Sequence, residues 1–397
     1  MGALSHLKVL DLSRVLAGPW ASQMLADFGA QVIKIENPVG GDDTRAWGPP
    51  FMRDEAGELT GESAYFLCTN RGKQSVCVDM KTQDGQQTLR QLAAQCDVVI
   101  ENFKVGGAAK YGLGYDSLAA ENPGLVYCSI TGFGQTGPSR DRPGYDFLVQ
   151  AMGGLMSVTG QPDGEAGGGP QKVGVALTDI MTGLYATIGV LAALTERERS
   201  GQGQHVDLAL LDVTAATLAN QATNYLVGGV TPTRLGNAHP NIVPYQSFVA
   251  KDGHLIVAVG NDSQFRRYVT VLGCPELADD SRFIANQDRV HNRDALVPLL
   301  QAKMLQRDKA DWLELLEAAQ VPAGPINTVA EVFEEPQIRA RDMQVTVPHA
   351  QNPDLQLVGN PIKLSRTPVE YRRPPPTLGE HTESVLAALA MGKMQEK

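Results

Sequence analysis

Short apolar runs alternate along the first part of the chain with stretches whose apolar positions recur every three or four residues. The runs at 8–12 and 31–36 bracket residues 19–29, which have helical spacing. The alternation continues with strands predicted at 75–79, 97–102 and 124–130 and a helix predicted at 85–96. Strands that alternate with helices are typical of a parallel sheet flanked by helices. The sequence therefore predicts an α/β fold.

The loops at the carboxyl ends of these strands are the expected ligand-binding edge, because ligands of open α/β sheets bind there. They begin at Ser13, Asn37, Met80, Asn102 and Thr131. Four basic residues lie at or near the predicted strand ends, as a phosphate-binding groove requires: Lys81, Lys104, Lys110 and Arg142. Scattered surface cations would give the same pattern.

The later part of the chain predicts a second, smaller domain. A Gly-rich passage at 159–169 ends the first block, and the long apolar helix that follows Thr178 stops at Gly201. Residues 227–240 are rich in Gly, Pro and Asn, which indicates a change of domain. The predicted organisation is a large domain at 1–210, a linker helix at 211–224, a small domain at 225–325, and a return linker with the C-terminal part of the large domain at 326–397.

Composition and charge narrow the class of protein. The 34 basic and 44 acidic residues give a net charge of -10. This acidic balance argues against general binding of nucleic acid, which requires a basic surface. Five scattered cysteines without CxxC spacing argue against a secreted disulfide framework and favour the cytoplasm. The start of the chain lacks a signal-peptide pattern, and no later segment approaches the roughly 20 apolar residues of a membrane helix. We therefore expect neither export nor membrane insertion.

Several common catalytic motifs are missing. The turn at 13–19 lacks the GxGxxG pattern of dinucleotide-binding proteins, which disfavours nicotinamide and flavin oxidoreductases. The sequence has no GxxxxGK[ST] phosphate loop, no GxSxG nucleophile turn and no HExxH, and no two of its seven histidines have metal-ligand spacing. We therefore expect no metal site.

Asp179 is the clearest candidate for a catalytic residue. Residues 174–178 deliver it to the start of the long apolar helix, where backbone N–H groups and the helix dipole should keep a carboxylate ionised and able to act as a nucleophile. An aspartate at this place more often only caps its helix. Residues 236–240 also have two interpretations. They are either a loop that offers backbone N–H groups to an oxyanion or a simple turn.

Short motifs along nearly the whole chain resemble those of the class III CoA-transferases: VLDLSRVLAGP at 9–19, VIKIE at 32–36, GDDTR at 41–45, DVVIENF at 97–103 and GYD at 144–146. Within that family the chain is most similar to the branch that exchanges CoA between succinyl-CoA and glutarate. The motifs for this branch are WGPP at 47–50, IVPYQ at 242–246, HNR at 291–293 and GPIN at 324–327.

The resemblance implies a Rossmann-like large domain with a parallel sheet, a smaller α+β domain, and a homodimer of two interlocked chains. It implies acyl-CoA and carboxylic acids as ligands, with coenzyme A as a substrate and no tightly bound cofactor. In the family the aspartate that matches Asp179 attacks the donor thioester, and the CoA thiolate returns to form an aspartyl-CoA thioester. An acceptor carboxylate, here expected to be a dicarboxylate such as glutarate, then takes the CoA.

The resemblance also implies a set of site residues. The CoA-binding set is Val15, Leu16, Ala17, Asn37, Val78, Asp79, Met80, Lys81, Asn102, Phe103, Lys104, Lys110 and Leu210. The substrate-pocket set is Tyr145, Asp146, Gly236, Asn237, Ala238 and His239. A second carboxylate on the substrate needs a cationic or hydrogen-bonding partner, for which Arg45, Arg71 and His239 are candidates that the sequence does not separate.

The sequence leaves three alternatives open. The first is a CoA-transferase with another acceptor, such as oxalate or carnitine. Leu16 and Asn37 replace a glutamine and an arginine of the formyl-CoA:oxalate branch, which disfavours oxalate as the acceptor. A CoA-dependent racemase or dehydratase of the same fold is another, although Tyr145 replaces the histidine of the related racemases. The third is a non-catalytic acyl-CoA-binding protein in which Asp179 only caps its helix.

Overall fold

Six parallel strands form the largest sheet in the structure, a computed structural model that describes residues 2–392. In chain order the strands are β1 (Lys8–Asp11), β2 (Gln31–Glu36), β3 (Phe51–Arg53), β4 (Leu59–Ser63), β5 (Lys73–Cys77), β6 (Val98–Glu101), β7 (Val126–Thr131), β8 (His205–Ala209), β9 (Tyr245–Ala250), β10 (Gly253–Ala258), β11 (Ala323–Pro325), β12 (Gln344–Thr346) and β13 (Gln356–Val358). The large sheet has the order β5-β2-β1-β6-β7-β8. All its neighbouring pairs are parallel, so the predicted α/β class is confirmed.

Helices connect these strands. In chain order they are α1 (Ala17–Asp27), α2 (Ala64–Leu67), α3 (Gln83–Ala93), α4 (Tyr115–Glu121), α5 (Asp146–Met152), α6 (Leu155–Val158), α7 (Leu177–Ser200), α8 (Leu210–Thr217), α9 (Ala219–Gly228), α10 (Asp262–Val271), α11 (Asn286–His291), α12 (Arg293–Met304), α13 (Lys309–Ala318), α14 (Val329–Glu334), α15 (Pro336–Ala340) and α16 (Thr382–Ala390). The helix predicted at 85–96 begins earlier, at Gln83, because the Thr82 hydroxyl caps it by accepting from the Gly85 N–H.

The described residues divide into two compact units. The first unit contains the residues up to Leu155, Val173–Ala222 and the residues from Pro336 onward, and the second contains Met156–Lys172 and Thr223–Glu335. Residues 156–172 therefore belong to the second unit, although the sequence pattern assigned them to the large domain. Backbone pairing explains the difference, since the Gly236 N–H donates to the Gly160 carbonyl at 3.0 Å. Residues 326–335 also belong to the second unit.

The second unit has its own core. Its three-stranded antiparallel sheet has the order β11-β10-β9. Buried aromatic side chains from the sheet and the helices pack together there, including Phe248, Phe265, Tyr268 and Trp312. The buried Arg289 guanidinium donates to the Val243 carbonyl at 2.7 Å and thereby ties the loop before β9 to α11.

The sequence predicts that no segment is apolar enough to cross a membrane, and helix α7 shows this to be wrong. By its length and composition alone, α7 is long and apolar enough to do so. Its small residues let one face pack into the core of the first unit: Ala186 is buried, and a Cβ added to Gly183 would come within 2.7 Å of the Ala17 carbonyl. One face of α7 therefore packs tightly on α1.

Buried ion pairs lie near the carboxyl ends of β1 and β2. Lys73 Nζ is 3.1 Å from Asp11 Oδ2, and Lys34 Nζ is 2.9 Å from Asp42 Oδ2, with all four side chains fully buried. Arg45 pairs with Glu36 at 2.8 Å and with Glu62 at 2.7 Å. Removing one member of such a pair leaves an uncompensated charge in a medium of low polarity.

We expect Lys34→Met to destabilise the protein by about 3–5 kcal/mol, because it leaves the Asp42 carboxylate buried without its cation. Urea unfolding followed by circular dichroism measures this. The matched control is Asp43→Asn, which breaks the exposed pair between Arg14 and Asp43 and should cost no more than about 1 kcal/mol. Equal effects of the two substitutions would contradict a structural role for the buried pair.

Candidate active site

A cavity of about 880 Å³ opens at the carboxyl ends of the parallel strands. It is lined by residues of the first unit only, at the edge where the topology predicts ligand binding. The residues of the predicted CoA-binding set all line it: Val15, Leu16, Ala17, Asn37, Val78, Asp79, Met80, Lys81, Asn102, Phe103, Lys104, Lys110 and Leu210. Tyr145 and Asp179 line the same cavity. The structure thus brings these residues together, while their binding roles remain predictions.

The other predicted substrate-pocket residues are not among the residues that line this cavity. Asp146 is the first residue of α5 in the first unit. Gly236, Asn237, Ala238 and His239 belong to the second unit. There the His239 N–H donates to the Tyr245 carbonyl at 2.9 Å, and burial together with Arg293 lowers the pKa of the His239 ring. The contribution of this loop to the site stays a prediction.

The turn after β1 has an unusual backbone. Val15 has a φ of 71°, in the left-handed region that β-branched residues avoid, which costs on the order of 1–3 kcal/mol. Its N–H lies 3.3 Å from both Asp42 carboxylate oxygens. The Arg14 N–H donates to Asn102 Oδ1 at 2.9 Å, and Asn102 Nδ2 donates back to the Arg14 carbonyl at 2.7 Å. These contacts hold the cavity wall in shape before any ligand binds.

The N-terminus of α7 is satisfied by Asp146 rather than by Asp179. Asp146 Oδ1 accepts from the Thr178 N–H at 2.9 Å and from the Asp179 N–H at 3.4 Å. Gln150 Nε2 donates to the other Asp146 oxygen at 2.6 Å. Within residues 2–392, no hydrogen bond or ion pair engages the Asp179 carboxylate itself. Asp179 is therefore left facing the cavity without a cation to neutralise it.

The pKa of Asp179 is higher than the position of this residue at a helix start predicts. Burial, and secondarily the nearby Asp146 carboxylate, raise the pKa of Asp179 to about 7. The sequence predicted that the helix start would keep this carboxylate ionised, which corresponds to a low pKa. Loss of hydration and a like charge outweigh the helix dipole. A carboxylate with a raised pKa is more basic, which makes its ionised form a stronger nucleophile.

Arg45 and Arg71 are not available to recognise a second carboxylate, although the sequence offered both. Arg45 is buried, donates to Glu36 and Glu62, and also donates to the Pro376 carbonyl at 3.0 Å. Arg71 donates to both oxygens of Asp27 and to the Val358 carbonyl. Arginines that bind a ligand and arginines that hold a fold look alike in a sequence.

Three aromatic and basic side chains at the site had no role assigned from the sequence. Trp47 lines the cavity, and its ring lies 5.3 Å from that of Tyr65 in an edge-to-face arrangement. Burial, followed by the charge of Asp179, raises the pKa of Tyr65 to about 12, so Tyr65 is an electrostatic neighbour of Asp179. Arg140 also lines the cavity. Trp47 belongs to a family motif, but Tyr65 carries no local sequence signal.

Comparison with known proteins identifies the class. Residues 4–382 match the model of CoA-transferase family III, and the chain therefore belongs to this family. The resemblance noted in the sequence is thus confirmed. The protein is an enzyme of the CoA-transferase type, a class whose substrates are CoA thioesters.

Particular relatives cover nearly the whole chain. Succinate–glutarate CoA-transferase of Agrobacterium fabrum is 53% identical over 386 residues, which are 97% of this chain and 95% of the relative. Succinyl-CoA:glutarate CoA-transferase of Homo sapiens is 42% identical over 383 residues, 96% of this chain and 85% of the relative. The crystal structure of a CAIB/BAIF family protein from Brucella suis has a TM-score of 0.85 at 51% identity and covers 98% of this chain and 99% of that chain.

We expect Asp179→Asn to stabilise the protein at alkaline pH. Because folding raises the pKa of Asp179 from 3.8 to about 7, its contribution to stability is present below the unfolded pKa and is lost as the pH rises through the folded pKa. The variant should gain about 1–3 kcal/mol at about pH 8, after allowance for partial hydration, and little at about pH 4.

Urea unfolding at both pH values measures this difference. Asp141→Asn, at an exposed residue, is the matched control and should show no such dependence. An Asp179→Asn effect of the same size at both pH values would contradict the raised pKa.

Proposed function

We propose that the protein transfers CoA from succinyl-CoA to a dicarboxylate such as glutarate, with Asp179 as the covalent nucleophile. The observation that carries the proposal is the placement of Asp179. It is an unpaired carboxylate at the cavity that the predicted CoA-binding residues line. The choice of acids is supported by the relatives that are 53% and 42% identical.

The proposed reaction conserves the energy of the thioester. An ionised Asp179 oxygen attacks the thioester carbonyl of the donor, the C–S bond breaks, and a mixed anhydride and CoA thiolate form. The thiolate attacks the aspartyl carbonyl, the donor acid leaves as a carboxylate, and an aspartyl-CoA thioester remains. The acceptor carboxylate attacks this thioester to give a second anhydride. The returning thiolate then releases the new acyl-CoA and restores Asp179, so no ATP is required.

The environment of Asp179 favours the covalent states. Burial and Asp146 disfavour the ionised side chain, as the raised pKa of Asp179 records. Both the anhydride and the thioester on this side chain are uncharged, so their formation relieves that penalty. The same environment that makes the ionised carboxylate costly therefore helps it to react.

The cations at the cavity have a distinct proposed task. Lys81, Lys104 and Lys110 line the cavity beyond β5 and β6. They would bind the phosphates of CoA. Asp179 is carried by α7, which packs on α1, β7 and β8. The long CoA molecule would thus extend from the lysines to the nucleophile.

We further propose that the enzyme is an interlocked homodimer in the cytoplasm. Exposed apolar side chains in the first unit, such as Phe147 at 60% and Ile188 at 62% exposure, support a second copy as their cover. Residues 236–241 would shield the acyl-enzyme from water, because hydrolysis of the anhydride or thioester would waste the activated acid.

The substrate proposal is tested by incubating the enzyme with succinyl-CoA and a panel of glutarate, oxalate, carnitine and butyrate. We expect glutaryl-CoA as the main product, and a loss of activity of about 10³-fold or more in both Asp179→Ala and Asp179→Asn. Asp141→Asn is the control. Full turnover in Asp179→Ala would contradict the role of Asp179. Exchange of the acyl α-proton without CoA exchange would support a racemase instead.

The pH dependence gives a second test. Because Asp179 must be ionised to attack, kcat/KM should rise as the pH passes through about 7. Asp146→Asn keeps an oxygen for the Thr178 N–H but removes the neighbouring negative charge, so the rise should move by roughly 0.5–1 unit to lower pH. Asp141→Asn should leave the profile unchanged. A midpoint that stays fixed or moves upward in Asp146→Asn would contradict the assignment.

A further inference from the structure

A buried polar chain joins three neighbouring strands beneath the wall of the cavity. Glu101 ends β6 and lies opposite Ser129 of β7 in the sheet register, and both are buried. The Ser129 hydroxyl is close enough to the Glu101 carboxyl group to lower the pKa of that group. It also lies 2.9 Å from Nε2 of His205, the first residue of β8. The chain Glu101–Ser129–His205 is not used by the proposed transfer chemistry.

Glu101 connects this chain to the ligand-binding wall. Its Oε2 accepts from the Phe103 N–H at 2.7 Å. Phe103 and Asn102 line the cavity, and Asn102 in turn holds the Arg14 backbone through two hydrogen bonds. Glu101 itself does not contribute to the lining. It therefore acts on the cavity only through the backbone that follows it.

We propose that Glu101 is a positioning residue for CoA binding: it holds the turn at 102–104 through the Phe103 N–H, and the Ser129–His205 pair responds to its protonation. The inference rests on the proposed function only in taking the cavity as the CoA site. It adds a pH dependence of CoA binding that is separate from the ionisation of Asp179.

The groups around Glu101 make it the titrating member of the chain. Burial is the largest cause that raises the pKa of Glu101 to about 7. The nearby Ser129 hydroxyl and the bond from the Phe103 N–H oppose this rise, and the Asp207 carboxylate adds to it. Burial lowers the pKa of His205, although Asp207 and Asp116 oppose this. Tyr127 and Cys128 of β7 also face this charge, and their pKa values are raised, so they stay neutral.

The charge of Glu101 sets the direction of the bond between Ser129 and His205. An ionised Glu101 attracts the hydroxyl proton of Ser129, which leaves the Ser129 oxygen to accept from the Nε2–H of His205. A neutral Glu101 no longer attracts this proton, so Ser129 donates to Nε2 and His205 carries its proton on Nδ1. The bond from the Phe103 N–H is charge-assisted only in the ionised state. CoA should therefore bind more tightly above about pH 7.

The test uses CoA binding by calorimetry in the Asp179→Asn background, where position 179 cannot titrate. From about pH 6 to about pH 8.5, affinity should rise about 5- to 10-fold more in this parent than in the same protein with Glu101→Gln. The exposed Glu121→Gln is the control and should behave as the parent. In the parent itself, the ¹⁵N shifts of the His205 ring should report a change of tautomer near pH 7.

Two results would overturn this inference alone: a Glu101→Gln protein with the same pH dependence as the parent, or a His205 tautomer that does not change. The histidine measurement needs no substitution in the Glu101–Ser129–His205 chain, so it decides even where Glu101→Gln fails to fold. Failure of the parent to bind CoA at any pH would overturn the proposed function and this inference together.

Discussion

The site depends on the pairing of two buried lysines with two buried aspartates at the end of the first strands. Lys73 pairs with Asp11, and Lys34 pairs with Asp42. Asp42 also accepts from the Val15 N–H and so holds a turn whose backbone would otherwise be unfavourable. That turn leads into α1, and α1 packs on α7, which carries Asp179. Buried charge thus fixes the geometry of the cavity wall and of the nucleophile's helix.

Two aspartates divide two tasks: Asp146 caps the N-terminus of α7, and Asp179 presents its carboxylate to the cavity. Asp146 satisfies the first N–H groups of α7, which frees the Asp179 carboxylate from capping. The result is an unpaired carboxylate whose pKa is raised to about 7. Such a group lowers stability at neutral pH, a cost that active sites commonly carry. The covalent chemistry proposed here uses that instability, because acylation removes the charge.

Much of the fold follows from local sequence pattern. The strand at Gln31–Glu36 is predicted with its observed limits, because the apolar residues Val32, Ile33 and Ile35 form a short run that is followed by the turn residues Asn37 and Pro38. The location of the cavity follows from topology, since parallel strands end at one edge. The membrane-like composition of α7 was missed because its Gly, Ala and Thr residues do not form a simple apolar run.

The remaining features depend on contacts between residues far apart in the chain. The pKa of Asp179 reflects burial and an aspartate 33 positions earlier, which no local pattern reports. The partners of Arg45 include Glu36, Glu62 and the Pro376 carbonyl, so its structural role is visible only in three dimensions. The pairing of Gly160 with Gly236 likewise joins glycine-rich loops that carry no periodic signal.

The most direct test of the central claim is chemical trapping of the acyl-enzyme. The enzyme is mixed with succinyl-CoA, reduced with borohydride, digested and analysed by peptide mass spectrometry. We expect residue 179 to be converted to homoserine, because borohydride reduces an aspartyl thioester or anhydride but leaves a free carboxylate intact. Modification at a different residue, or an unmodified Asp179 under conditions in which CoA exchange continues, would contradict the covalent role of Asp179.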